Sequence, residues 1–182
     1  MRLYEWNLDV SAAFYETLSY LEVALRNALH RRLALHLGRQ DWWDAPISLA
    51  PEAANMITAA IYQTSRRTGS TPGHVVAALS FGFWVGLLSS GGVAEYETRL
   101  WRPALHRAFP NYRGPRRVVH QRLVNMRLLR NRIAHHEPIH YRHLAVDYDR
   151  MMAILGWISA DFAAWVDARS RVPALLAIKP AT

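Results

Sequence analysis

Apolar residues at Phe14, Leu18, Leu21, Leu25, Leu29 and Leu33 recur every three or four positions, the period of a helix that turns one face to a core. The spacing predicts one long helix from about Ser11 to Leu37, capped by Asp9 or Ser11 and stopped at Gly38. The same period returns at Leu144, Tyr148, Met151, Leu155, Ile158, Phe162 and Trp165, predicting a last long helix over 141–168. Strand signals are nearly absent. The chain should therefore be all-α, a single-domain helical bundle of about six helices.

The intervening elements follow from turn and cap residues. The stretch RQDWWDAPISLAP reads as a connection in which Trp42 and Trp43 anchor packing. A second helix follows Pro51 and ends near Arg67, and Thr71 with Pro72 opens a third, proline being favoured at the first helical position. A fourth spans 93–109 with a bend at Pro103. The break PNYRGP precedes a fifth, from Pro115 until Glu137-Pro138 ends it, because a residue before proline is pushed out of the α region. With 182 residues and 51% hydrophobic content, the chain can bury a sizeable core. One domain over 1–172 and a loose tail over 173–182 are expected.

The third segment, HVVAALSFGFWVGLLSSGG, raises the question of a membrane. Its continuous apolar run, Val75 to Leu88, falls short of the roughly 20 residues a span needs, so a buried core helix and no membrane are expected. Gly82 and Gly86 have the GxxxG spacing, which marks close helix packing, here including a contact between subunits. No cysteine is present, which removes disulfides, zinc-thiolate sites and thiol catalysis. The first residues have no apolar run of the secretory kind, so the expected location is cytoplasmic.

The formal charge is +8, and Lys179 is the only lysine. From Thr98 to His136 there is no acidic residue, while ten arginines lie there. Such a segment is the footprint of a polyanion partner, and arginine suits bidentate phosphate recognition. An anionic membrane surface or an ordinary solvated face would also accommodate the charge. Arg113, Arg116, Arg117, Arg122, Arg127 and Arg132 are the candidate RNA-binding residues.

The segment LLRNRIAHHEPIHYRH ends the basic run. Asn131 and His135 are four apart and share a helix face with Arg127, whereas Arg130 and His135 lie about 140° apart in projection. Arg130 and His135 can meet one substrate if His135 sits in the last turn and folds inward, or if two copies of the helix build one cleft. His135 could instead only cap the helix end, where a cationic imidazole is favoured. His136, Glu137, His140 and His143 allow a metal reading, but Pro138 breaks the helix between them and no carboxylate-rich set appears, so no metal or other cofactor is expected. In the first helix Glu22, Arg26 and Asn27 are polar among apolar neighbours. Glu22 and Arg26 are spaced for an intrahelical pair; alternatively Glu22 or Asn27 reaches the fifth helix to orient Arg130 or His135.

Arg130-Asn131 followed by His135 fits the R-x(4–6)-H signature of HEPN domains. LRNRIAHHEPI, together with YLEVALRNAL and LSFGFWVGLL elsewhere in the chain, resembles the Abi-like (AbiD/AbiF) abortive-infection proteins of that class. The resemblance implies an all-α homodimer and a metal-independent endoribonuclease of toxin or phage-defence type, whose two signature helices meet at a shared cleft. It makes Arg130 the phosphate contact, Asn131 the adjacent polar residue, and His135 the catalytic histidine, with His136 doubling it as an auxiliary. Some HEPN proteins only bind RNA, so a catalytically silent RNA-binding regulator is the alternative. An antitoxin or a regulatory RNA would be a further partner.

The chemistry suits these residue types. RNA carries its own nucleophile, the 2′-hydroxyl, so cleavage to a 2′,3′-cyclic phosphate needs proton transfer and charge stabilisation, without a metal or an enzyme nucleophile. Histidine transfers protons near neutral pH, and an arginine fork stabilises the phosphorane.

Overall fold

The computed structural model describes residues 2–66 and 69–180, and among these the protein is all-α, with no strand. No described helix is long and apolar enough to cross a membrane. The chain forms two compact units, one of Met1–Ala24 with Gln121–Thr182 and one of Leu25–His120, where the sequence predicted one domain. Two helices, α1 (Arg2–Leu37) and α5 (Arg116–Ala134), contribute residues to both units.

In the first unit the beginning of α1 buries its predicted stripe, Phe14, Leu18 and Leu21, and the end of α5 buries Leu123, Met126, Leu129 and Ile133 in the core. Helix α1 starts at Arg2, well before the predicted Ser11, because Trp6 and Val10 extend the buried stripe backwards. The last predicted helix is two, α6 (Leu144–Ile158) and α7 (Ala160–Asp167), divided at Ser159, whose extended backbone lets its hydroxyl accept from Phe162 N at 3.3 Å. That hydroxyl supplies the N-cap of α7. Leu144, Tyr148, Met151 and Leu155 are buried as the stripe predicts, but Trp165 is 40% exposed and stacks on Phe162 with centroids 5.8 Å apart. The expected loose tail also folds: α8 (Val172–Ala177) buries Val172, and the Leu175 carbonyl accepts from Trp6 Nε1 at 2.7 Å. Residues 181 and 182 of that tail lie outside the described residues.

In the second unit Leu25, Leu29 and Leu33 complete the α1 stripe, and Trp42 is fully buried beside Phe83 and Trp84. Helix α2 runs Pro51–Ser65; its predicted end near Arg67 lies outside the described residues. The single helix predicted after Pro72 is two short ones, α3 (Pro72–Ala78) and α4 (Phe81–Gly86), divided where Ser80 caps the second by accepting from Phe83 N at 3.2 Å. A Cβ on Gly86 would meet nothing within 4 Å among the described residues, so at that glycine the GxxxG spacing marks no close approach within the chain. Instead of a fourth long helix, residues 92–108 form 3-10 and π turns, because Gly91, Gly92 and Glu95 take left-handed conformations. Gly91 is required twice over: its φ is +72°, and a Cβ there would collide with the Tyr96 ring. Tyr96 in turn accepts from Ala50 N at 2.8 Å.

Candidate functional site

The end of α5 is closed by a left-handed residue. His136 has φ +58°, its N–H donates to the Ile133 carbonyl at 3.0 Å, and Glu137 N donates to Arg132 at 2.8 Å. These two bonds are a Schellman cap with His136 in the position glycine normally fills. The cap places His135 just past the last helical residue, exposed, with Asn131 exposed one turn before it.

Arg130 is tethered. Its Nε donates to Glu22 Oε1 at 3.0 Å, with side chains 35% and 28% exposed. Glu22 therefore reaches across to α5 and does not pair along α1 with Arg26, whose Nε donates to Asn27 at 3.4 Å. The pair engages only Nε, so the terminal nitrogens of Arg130 keep donors for an anion. Among the described residues no hydrogen bond joins Arg130 to His135.

The acid-free segment is not free of acids in space. Glu95 pairs with Arg99 at 3.5 Å, Glu97 with Arg102 at 3.6 Å and Arg116 at 2.7 Å, and Glu137 with Arg132 at 3.1 Å. Arg116 corrects an expectation. Its side chain is only 12% exposed and also donates to the Leu88 carbonyl, so it ties the segment after α4 to α5 and leaves little of its guanidinium for a phosphate. Arg132 is held by Glu137 and Tyr141, and Arg122 lies 4.7 Å over the Trp157 ring. Among the described residues the buried Nε of Arg127 has no hydrogen-bond partner. Arg113 and Arg117 are exposed, as a phosphate contact requires.

Beside the capped end lies a cavity of about 590 Å³, lined by residues that include Tyr4, Asn7, Leu8, His136, Glu137 and His140. Asn7 builds its floor: the Oδ1 atom accepts from Ile139 N at 2.9 Å and His140 N at 3.1 Å, fixing the chain after Pro138 against α1. Lys179 Nζ donates to the His140 carbonyl at 2.7 Å from the other side. Asp147, 3% exposed, receives Arg142 Nε at 2.9 Å and ties the same loop to α6. Sequence reading did not reach Asn7 or Tyr4, because it began the helix at Ser11. The signal was the apolar pair Trp6 and Val10 in phase with the later stripe. Among the described residues no group of three or more His, Cys, Asp or Glu side chains is placed to hold a metal ion.

Compared with known proteins, the chain matches no family model, no curated protein and no solved structure.

Proposed function

We propose that this chain is a metal-independent endoribonuclease of the HEPN, abortive-infection type, acting as a homodimer. The observation that carries the reading is the pairing of a tethered arginine with an exposed histidine five residues on, where α5 ends. Glu22 holds Nε of Arg130 and leaves its terminal nitrogens for a phosphate. His135 takes the proton of a 2′-hydroxyl; the 2′-oxygen attacks phosphorus, a 2′,3′-cyclic phosphate forms, and the P–O5′ bond breaks. The departing 5′-oxygen takes its proton from the histidine of a second copy facing the same cleft. Arg130 stabilises the charge that gathers on the phosphoryl oxygens in the transition state.

The test incubates purified protein with total RNA in EDTA and maps the cut ends. Wild-type protein leaves 2′,3′-cyclic phosphates. His135→Ala loses about 10²–10⁴-fold in rate and Arg130→Ala about 10²–10³-fold, each with unchanged helical circular dichroism. Folded wild-type protein that binds RNA without cutting it would leave the silent RNA-binding alternative. Full activity in either folded variant, or cleavage only with added metal, overturns the assignment.

A further inference from the structure

We propose that the cavity between the start of α1 and the chain around the capped end of α5, from Ile133 to His140, is a recognition pocket for one nucleobase of a single-stranded RNA. The RNA source of the base and its place beside the cut rest on the reading above; the pocket chemistry stands by itself. The volume, about 590 Å³, is in the range of small-ligand sites, roughly 300–1,000 Å³. A base has two flat apolar faces and an edge of donors and acceptors, and proteins read it by stacking on aromatic rings and bonding that edge.

The lining offers both. Tyr4 and Leu8, 66% and 51% exposed, sit one turn apart on α1 at the rim and present apolar surface to a ring face. Asn7 spends its oxygen on the backbone of Ile139 and His140. Those two bonds fix the amide orientation, and its Nδ2 is a donor they do not use. Glu137 Oε2 accepts from Arg132, which leaves Oε1 as an acceptor at the same wall. The imidazoles of His136 and His140 add groups that donate or accept according to tautomer.

A second observation points the same way. His136 holds a left-handed backbone at φ +58°, a conformation costly for a residue with a Cβ and free for glycine. A side chain retained under that strain is a mark of use, and His136 lines this pocket. It directly follows His135, so a base seated here belongs to a nucleotide beside the scissile phosphate, and the pocket sets which base the cut follows or precedes.

The probes are the four ribonucleoside 5′-monophosphates, titrated into the intact chain while the side-chain NMR signals of Asn7, His136 and His140 are followed. At least one monophosphate is expected to shift all three. Tyr4→Ala should weaken that binding about tenfold, within the range for losing one base–aromatic stack. Leu8→Trp, which fills the mouth from an exposed position, should abolish it. On a randomised RNA, Tyr4→Ala should flatten the base preference at the cut site. If no monophosphate shifts these signals, or if the shifts persist in Leu8→Trp, the pocket assignment is overturned. Unchanged base preference in Tyr4→Ala overturns it too, with the cleavage reading intact. Monophosphate binding by a protein that cuts no RNA supports the pocket and removes the cleavage reading.

Discussion

Helices α1 and α5 each close on a left-handed residue, Gly38 at φ +70° and His136 at φ +58°. One closing hydrogen bond is common to both. Arg39 N donates back to Ala34 at 3.1 Å, as Glu137 N donates back to Arg132 at 2.8 Å. The residue in the turn differs: a glycine at one end, a histidine at the other. Gly38 reverses the chain toward Trp42, and a Cβ there would touch nothing. Gly38 lines a cavity of about 560 Å³, and His136 lines one of about 590 Å³ and follows the histidine proposed for catalysis. At Gly38 no side chain enters the cavity and the left-handed backbone carries no cost. Where a side chain is wanted, the cost is carried.

The largest effect that can sharpen this contrast is on cleavage. Glu22→Gln removes the charge from the Nε bond of Arg130 and should slow cleavage about tenfold, the worth of part of a charge-assisted hydrogen bond. Asp41→Asn, which breaks the Arg39–Asp41 pair of 2.7 Å next to Gly38, should leave the rate within about twofold, since exposed pairs carry little. Equal losses in initial-rate assays would break the contrast.

Next in size are the two turn residues themselves. Gly38→Ala should cost about 1 kcal/mol by forcing a Cβ into the left-handed region, a fall of about 2–4 °C in Tm for a chain of this length. His136→Gly should move the opposite way and by less, because glycine gives part of the gain back through the unfolded chain. Thermal melts of the two variants check both signs, and a destabilised His136→Gly would show that the histidine is held for packing.

The smallest effect is pH dependence near the α1 end. His30 accepts from Trp42 Nε1 at 3.1 Å through Nδ1, so its proton sits on Nε2, facing Gln40 Oε1 at 3.1 Å. Burial pushes this imidazole below its ordinary value of 6.5, with Arg26 repulsion adding to it and the Gln40 bond opposing. The folded state therefore binds the proton less readily than the unfolded chain. Stability from this site is complete above pH 6.5 and declines as pH falls below it toward the lowered value. Urea midpoints at pH 7.5 and 5.5 should show a larger drop in wild-type protein than in His30→Gln.

How much of this was legible beforehand depends on how local each cause is. The stripes of α1 and α6 were readable because periodicity repeats over many residues and burial followed it. The splits at Ser80 and Ser159 were missed because the apolar pattern continues across them, while a single hydroxyl that accepts the N–H three residues on ends one helix and starts the next. Arg130, Asn131 and His135 were visible as a spacing. The tether was visible only as a choice, since Glu22 stood four residues from Arg26 and far in sequence from Arg130. Arg116 was misread for the same reason: nothing local says that Glu97 and the Leu88 carbonyl will enclose its guanidinium.

Lys179, the chain's single lysine, joins the His140 carbonyl at 2.7 Å and lies 5.5 Å from the Trp6 ring centroid. Acylating reagents that seek side-chain amines thus have one address in the whole sequence, and it is a strut of the pocket wall. The speed at which that amine is modified becomes a clock for how often the strut lets go. A dye attached there would report on the wall behind His140 without any engineered label.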